Sequence, residues 1–133
     1  MQELTHYING ANVKGTSGRF ADVFNPATGE VQAQVPLASE AEMAHAVEVA
    51  AQAQPAWAAV NPQRRARVLM KFVDLLNRDM QKLAEALSRE HGKTVPDAKG
   101  DVQRGLEVVE YCIGAPHLWK SEYTESAGAG IDM

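Results

Sequence analysis

The sequence predicts a chain of the α/β class, expressed here as α+β: short N-terminal β-hairpins followed by about three amphipathic helices. Two observations carry that expectation. Turn formers at Asn9-Gly10 and at Asn25-Pro26-Ala27-Thr28-Gly29 separate short apolar runs in the first third. From Ser39 onward the apolar residues instead recur at intervals of three and four, the helical period. The expected boundaries are hairpins over 1–37, helices over 38–120, and a linker leading into a truncated strand over 121–133.

In the first part, His6-Tyr7-Ile8 enters Asn9-Gly10, a pair that tolerates the positive φ of a tight hairpin turn, and Ala11-Asn12-Val13 returns. After a loop at Lys14-Gly15-Thr16-Ser17-Gly18, Phe20-Ala21-Asp22-Val23-Phe24 alternates in polarity. The turn at Asn25 reverses the chain. Val31, Ala33 and Val35 then fall on one face of a strand that Pro36 ends.

Ser39 and Glu42 have the spacing of a capping box, and Met43, Ala46, Val47, Ala50 and Ala53 form the stripe of the helix it opens. Pro55 is expected to end or kink that helix. Asn61-Pro62 starts the next, since Asn caps and Pro at the first helical position forfeits no bond. Its apolar face, Val68, Leu69, Phe72, Leu75, Leu76, Leu83 and Leu87, has a candidate break at Asn77-Arg78-Asp79 and stops at His91-Gly92. The third helix runs from about Thr94 to the region of Pro116 with Val102, Leu106, Val109 and Ile113 on one face. Gly100 and Gly105 lie inside it; each costs about 1 kcal/mol relative to Ala, which predicts a close approach by another backbone or a ligand. Ser126-Ala127-Gly128-Ala129-Gly130 reads as a flexible linker and Ile131-Asp132-Met133 as the start of a strand. Fresh apolar sequence after a glycine linker is unlike the frayed polar tail in which a chain more often ends.

Composition narrows the function classes. The 133 residues are 45% hydrophobic and 23% charged, ordinary for a folded domain. A net charge of −4, with no clustered positive face, argues against nucleic acid as partner. No apolar run is long enough to span a bilayer, and the first residues lack the basic start and apolar stretch of a secretory signal. With one cysteine there is no internal disulfide, and a cytoplasmic location is expected.

The chemistry-bearing residues give no complete active site. Cys112 lacks a neighbouring base, cation or helix N-terminus to lower its pKa, so it is expected to pack as a small apolar side chain. His6, His45, His91 and His117 stand far apart on different elements, with no metal-ligand spacing. Gly128-Ala129-Gly130 lacks the preceding strand, the following helix and the third glycine of a dinucleotide loop. Arg64, Arg65 and Arg67 sit at the positive end of a helix dipole and are expected to meet carboxylates or face solvent. Arg104 stands out in Gly100-Asp101-Val102-Gln103-Arg104-Gly105. It is either an exposed, solvated arginine or a guanidinium placed to dock a carboxylate with both its arms.

Several stretches together resemble the N-terminal part of the aldehyde dehydrogenase superfamily. They are Tyr7-Ile8-Asn9-Gly10, the run Phe24-Asn25-Pro26-Ala27-Thr28-Gly29-Glu30-Val31, Arg64-Arg65-Ala66-Arg67-Val68-Leu69, and Glu90-His91-Gly92-Lys93-Thr94. Gly100-Asp101-Val102-Gln103-Arg104-Gly105-Leu106-Glu107-Val108-Val109-Glu110, then Gly114-Ala115-Pro116-His117-Leu118 and Gly130-Ile131-Asp132-Met133, are similar to its methylmalonate-semialdehyde dehydrogenase branch.

The resemblance implies an NAD-dependent, CoA-acylating oxidation of malonate or methylmalonate semialdehyde with loss of CO₂, in valine and inositol catabolism. It implies that these helices pack on a later Rossmann-like NAD-binding sheet, and that subunits assemble as dimers or tetramers. It also implies that the catalytic cysteine and asparagine and the NAD-binding lysine lie beyond residue 133, that Cys112 is not the nucleophile, and that no catalytic, cofactor or metal residue lies within this chain. Arg104 alone matches a family position, the arginine that recognises the substrate carboxylate. Alone, the chain is expected to be inactive, to bind neither NAD nor CoA, and to fold poorly. Two other readings remain open: an interaction module that pairs with full-length subunits through the strand at Ile131, and a segment of another branch such as a succinate-semialdehyde or betaine-aldehyde dehydrogenase.

Overall fold

A computed structural model describes residues 2–118, 123 and 127–133. The chain forms two units, Met1–Trp57 and Ala58–Met133.

The first unit holds β1 (Gln2–Glu3), β2 (His6–Ile8), β3 (Ala11–Val13), β4 (Phe20–Phe24), β5 (Val31–Pro36) and nearly all of α1 (Glu40–Ala58). Strands β2 and β3 form the expected two-residue hairpin, with Asn9 at φ 54° and Gly10 at φ 74°, the left-handed geometry this turn requires. Strands β4 and β5 form the second hairpin. Its turn is closed by the Asn25 side chain, which accepts from the Ala27 amide at 2.9 Å, and by Gly29 at φ 75°. Strand β1 adds in parallel to β5, giving the order β1-β5-β4, a pairing the sequence did not signal.

The single face expected for Val31, Ala33 and Val35 is interrupted. Val23 pairs with Ala33 but Phe24 pairs with Val31, so Gln32 is an extra residue that bulges β5. Ala33 is buried while Val31 is left exposed.

The loop before β4 is held by two devices. A Cβ added to Gly15 would lie 2.6 Å from the Pro36 Cβ, closer than such atoms approach. Gly15→Ala is therefore expected to destabilise the complete subunit by about 1–3 kcal/mol, read as a lowered denaturant midpoint. Glu42 is the second device. Its carboxylate accepts from the Ser39 amide at 2.7 Å while the Ser39 hydroxyl accepts from the Glu42 amide at 3.2 Å, completing the capping box. The other carboxylate oxygen accepts from the Thr16 amide at 2.6 Å and from its hydroxyl at 3.0 Å.

Those backbone donors at Ser39 and Thr16, with the two hydroxyls, hold the Glu42 carboxyl at about 2, below the ordinary 4.5. Because the folded-state value is the lower one, this tether is fully present above pH 4.5 and is lost as pH falls through about 2. Amide-exchange protection at Thr16 and Ser39 should fall across that window. Glu42→Gln should abolish the pH dependence while leaving weaker protection.

Helix α1 continues to Ala58 rather than ending at Pro55, because a proline in the last turn forfeits a bond only near the frayed end. Its stripe is uncovered: Met43 and Val47 are 60% and 61% exposed.

The second unit contains α2 (Pro62–Arg78), α3 (Met80–His91), α4 (Val95–Ile113) and the single turn α5 (Ala115–Leu118). Among the described residues there are thus five helices rather than about three. One extra arises because the expected break falls at Asp79, whose φ of −102° and ψ of 12° separate α2 from α3. The other is the turn after Gly114. The Asn61 side chain caps α2 by accepting from the Gln63 amide at 2.9 Å. Gly92 at φ 80° ends α3, and Thr94 caps α4.

Helices α2 and α3 both pack on α4, with Ala66, Ala84, Ala98 and Leu106 buried. Helix α2 also carries a second apolar face, Val68, Phe72 and Leu75, which is exposed. Residues 127–131 form a closed turn rather than an open linker. Gly128 and Ile131 bond each other, and the Ala127 carbonyl accepts from the Asn61 side-chain Nδ2 at 2.9 Å. Ser126, the first residue of the expected linker, and Trp119 lie outside the described residues.

Candidate functional site

Helix α4 brings Asp97, Asp101 and Arg104 onto one face, because residues three and four apart are neighbours on a helix. Lys93 joins them from the elbow between α3 and α4. The left-handed Gly92 turns the chain there, and the Ser88 hydroxyl donates to the Lys93 carbonyl at 2.6 Å, fixing the backbone. The Lys93 side chain is only 16% exposed. Its ammonium donates to Asp97 Oδ2 at 2.8 Å and to Asp101 Oδ2. The other Asp101 oxygen, Oδ1, accepts from Arg104 Nη1 at 2.5 Å.

The four charges therefore form a ladder in which one carboxylate stands between two cations. The hydrogen bond from Lys93, together with the attraction of Lys93, Arg104 and His91, holds the Asp101 carboxyl below its ordinary range. The hydrogen bonds to Asp101 and Asp97 hold the Lys93 ammonium above its own.

Arg104 is 72% exposed. Its guanidinium is steadied through Nη1 at one end and projects into solvent from a rigid helix. That arrangement can present a planar cationic fork to a carboxylate.

The glycines around it do not meet the close approach expected of them. A Cβ at Gly105 meets nothing within 4 Å among the described residues, and one at Gly100 would touch only Arg104 Nη1 at 3.9 Å. Sequence reasoning singled out Arg104 but passed over Lys93, Asp97 and Asp101. The signal was present as the i, i+4, i+8 spacing of Lys93, Asp97 and Asp101, hidden because Lys93 reads first as part of a helix stop.

Cys112 is exposed, contrary to the expected packing. The face of α4 that turns inward runs through Ala98, Val102, Leu106, Val109 and Ile113, and Cys112 falls just off it. His91 and His117 lie on separate helices, whereas His6 and His45 line one open cavity of about 320 Å³ with Ser39 and Glu42, despite their distance in sequence. No group of three or more His, Cys, Asp or Glu able to hold a metal occurs among the described residues. Of the arginine cluster, Arg64 and Arg67 are exposed and Arg65 is half-buried. The turn at Gly128-Ala129-Gly130 is closed by the bonds between Gly128 and Ile131. No helix among the described residues is long and apolar enough to cross a membrane.

The profile of the aldehyde dehydrogenase family matches residues 13–131, nearly the whole chain. The chain belongs to the aldehyde dehydrogenase family. A crystal structure from Sinorhizobium meliloti, assigned as a methylmalonate-semialdehyde dehydrogenase and complexed with NAD, is 68% identical with a TM-score of 0.88, covering 99% of this chain and 27% of that one. The methylmalonate-semialdehyde dehydrogenase of Oceanimonas doudoroffii is 42% identical with a TM-score of 0.87, over 99% of this chain and 27% of its own. The malonate-semialdehyde dehydrogenase of Pseudomonas aeruginosa is 45% identical over 99% of this chain and 26% of its own length. This aldehyde dehydrogenase chain thus spans about a quarter of the length of the relatives it matches. The α+β architecture matches the corresponding region of those structures.

Proposed function

We propose that this chain is the N-terminal segment of an NAD-dependent, CoA-acylating methylmalonate- or malonate-semialdehyde dehydrogenase. The reaction consumes the semialdehyde, CoA thiol and NAD, and yields propionyl-CoA or acetyl-CoA, CO₂ and NADH. NAD, when bound, would supply the oxidant for the aldehyde hydride. In this reading the nucleophile and the NAD site belong to the remainder of the subunit. The subunit is cytoplasmic, assembles as a dimer or tetramer, and serves valine and inositol catabolism.

One observation carries the reading. Arg104 is an exposed guanidinium, steadied by Asp101, in a chain whose relatives are named for semialdehydes that bear a carboxylate. A single cation on a rigid helix supplies what distinguishes such a substrate from a plain aldehyde. The test is an assay of the complete subunit with malonate and methylmalonate semialdehyde, following NADH, CO₂ and acyl-CoA together. Equal yields of all three are expected. A free acid as product, without acyl-CoA or CO₂, would place the enzyme in another branch.

A further inference from the structure

Arg104 and Asp101 stand three residues apart on one helix, a spacing at which a carboxylate can close on a guanidinium with both its oxygens. Such a closed pair would neutralise the arginine and occupy the fork that an incoming carboxylate needs. The structure shows a different arrangement. Asp101 reaches Arg104 with Oδ1 alone, while Oδ2 is taken by Lys93. Lys93 is well placed to keep it, because its side chain is largely covered, its backbone is fixed at the α3–α4 elbow, and Asp97 steadies the same ammonium at 2.8 Å.

We infer that Lys93 is a positioning residue for substrate recognition: by holding one oxygen of Asp101, it keeps the Arg104 fork half open to a substrate carboxylate. Asp101 then steadies the guanidinium without satisfying it. Asp97 acts one step further back, by anchoring the lysine. The ladder sets two cations against two carboxylates, so what it offers a substrate carboxylate is the unbonded part of the Arg104 fork and not a net positive charge. The inference rests on the proposed role of Arg104 and extends it to residues that do not touch the substrate.

The test uses the complete subunit with two substrates, malonate semialdehyde and propanal, which lacks the carboxylate. Lys93→Met should let Asp101 close on Arg104 and raise KM for malonate semialdehyde by about tenfold, with a much smaller change for propanal. Lys93→Arg, which retains a cation at the elbow, should stay within about threefold of the parent enzyme. The decisive variant is Lys93→Met combined with Asp101→Asn. Without a carboxylate to close on Arg104, its KM for malonate semialdehyde should return most of the way to the parent value.

A merely structural role for Lys93 predicts equal losses for malonate semialdehyde and propanal, because a displaced helix end spares neither substrate, and recovery in the double variant counts only where it is confined to malonate semialdehyde. Failure of the double variant to recover, or equal losses for both substrates, would overturn the inference. So would a silent Lys93→Met in an enzyme where Arg104→Ala is impaired, which leaves the Arg104 reading intact. An Arg104→Ala variant with unchanged discrimination would overturn both.

Discussion

Arg104→Ala in the complete subunit is expected to lower kcat/KM for malonate semialdehyde by about 10- to 100-fold relative to its effect on propanal. The size follows from the interaction removed. Hydrogen bonds to a charged group contribute about 1.5–3 kcal/mol, and each 1.4 kcal/mol is about tenfold in an equilibrium. The exposed guanidinium makes one short bond, to Asp101, and that bond already lies partly in water, so its loss alone should change stability little. The effect should therefore appear in substrate discrimination rather than in the melting temperature. Arg104→Lys should recover only part of it, because an ammonium is a point charge and cannot meet both oxygens of a carboxylate in one plane. Equal losses for propanal and malonate semialdehyde would show that Arg104 serves the fold and not the carboxylate.

The isolated chain of 133 residues is expected to give no dehydrogenase activity and to self-associate rather than melt cooperatively as a monomer. Large apolar side chains are left bare in both units. Phe20, Phe24, Met43, Val47, Val68 and Phe72 are all exposed, and no large side chain among the described residues is fully buried. Covering one such side chain stabilises by about 1.5–3 kcal/mol, so these six left bare forfeit a free energy comparable to the whole net stability of an ordinary domain. Bare apolar surface also favours association. Light scattering with calorimetry checks this directly. A monodisperse monomer with one sharp heat-absorption peak would contradict it.

Much of the local structure was legible because it depends on neighbouring residues alone. Asn9-Gly10 admits few conformations besides its hairpin turn, Ser39 and Glu42 satisfy each other across a helix start, and Gly92 ends a helix in the one conformation that suits it. What escaped depends on distant partners. The parallel pairing of β1 with β5 joins residues some thirty apart, and the Gln32 bulge is set by the opposing strand. The burial of Ala66, Ala84 and Ala98 while larger neighbours such as Val68 and Phe72 stay exposed depends on which side of α2, α3 and α4 face one another. Cys112 was misjudged because helical periodicity fixes a face only to within one residue, and Cys112 lies beside the inward stripe.

The candidate site shows the same division. Arg104 was visible through its flanking glycines and its family resemblance. The ladder behind it required knowing that Lys93 turns at the elbow toward α4.

The central claim is that this chain is one part of a larger semialdehyde dehydrogenase subunit. Immunoprecipitation of the native polypeptide from its source cells, followed by intact mass spectrometry, tests it most directly. The account predicts a single polypeptide several times heavier than 14.4 kDa that contains this sequence at its N-terminal end. A native product of 14.4 kDa would contradict it, and this chain would then have to act without the rest of the enzyme its relatives possess.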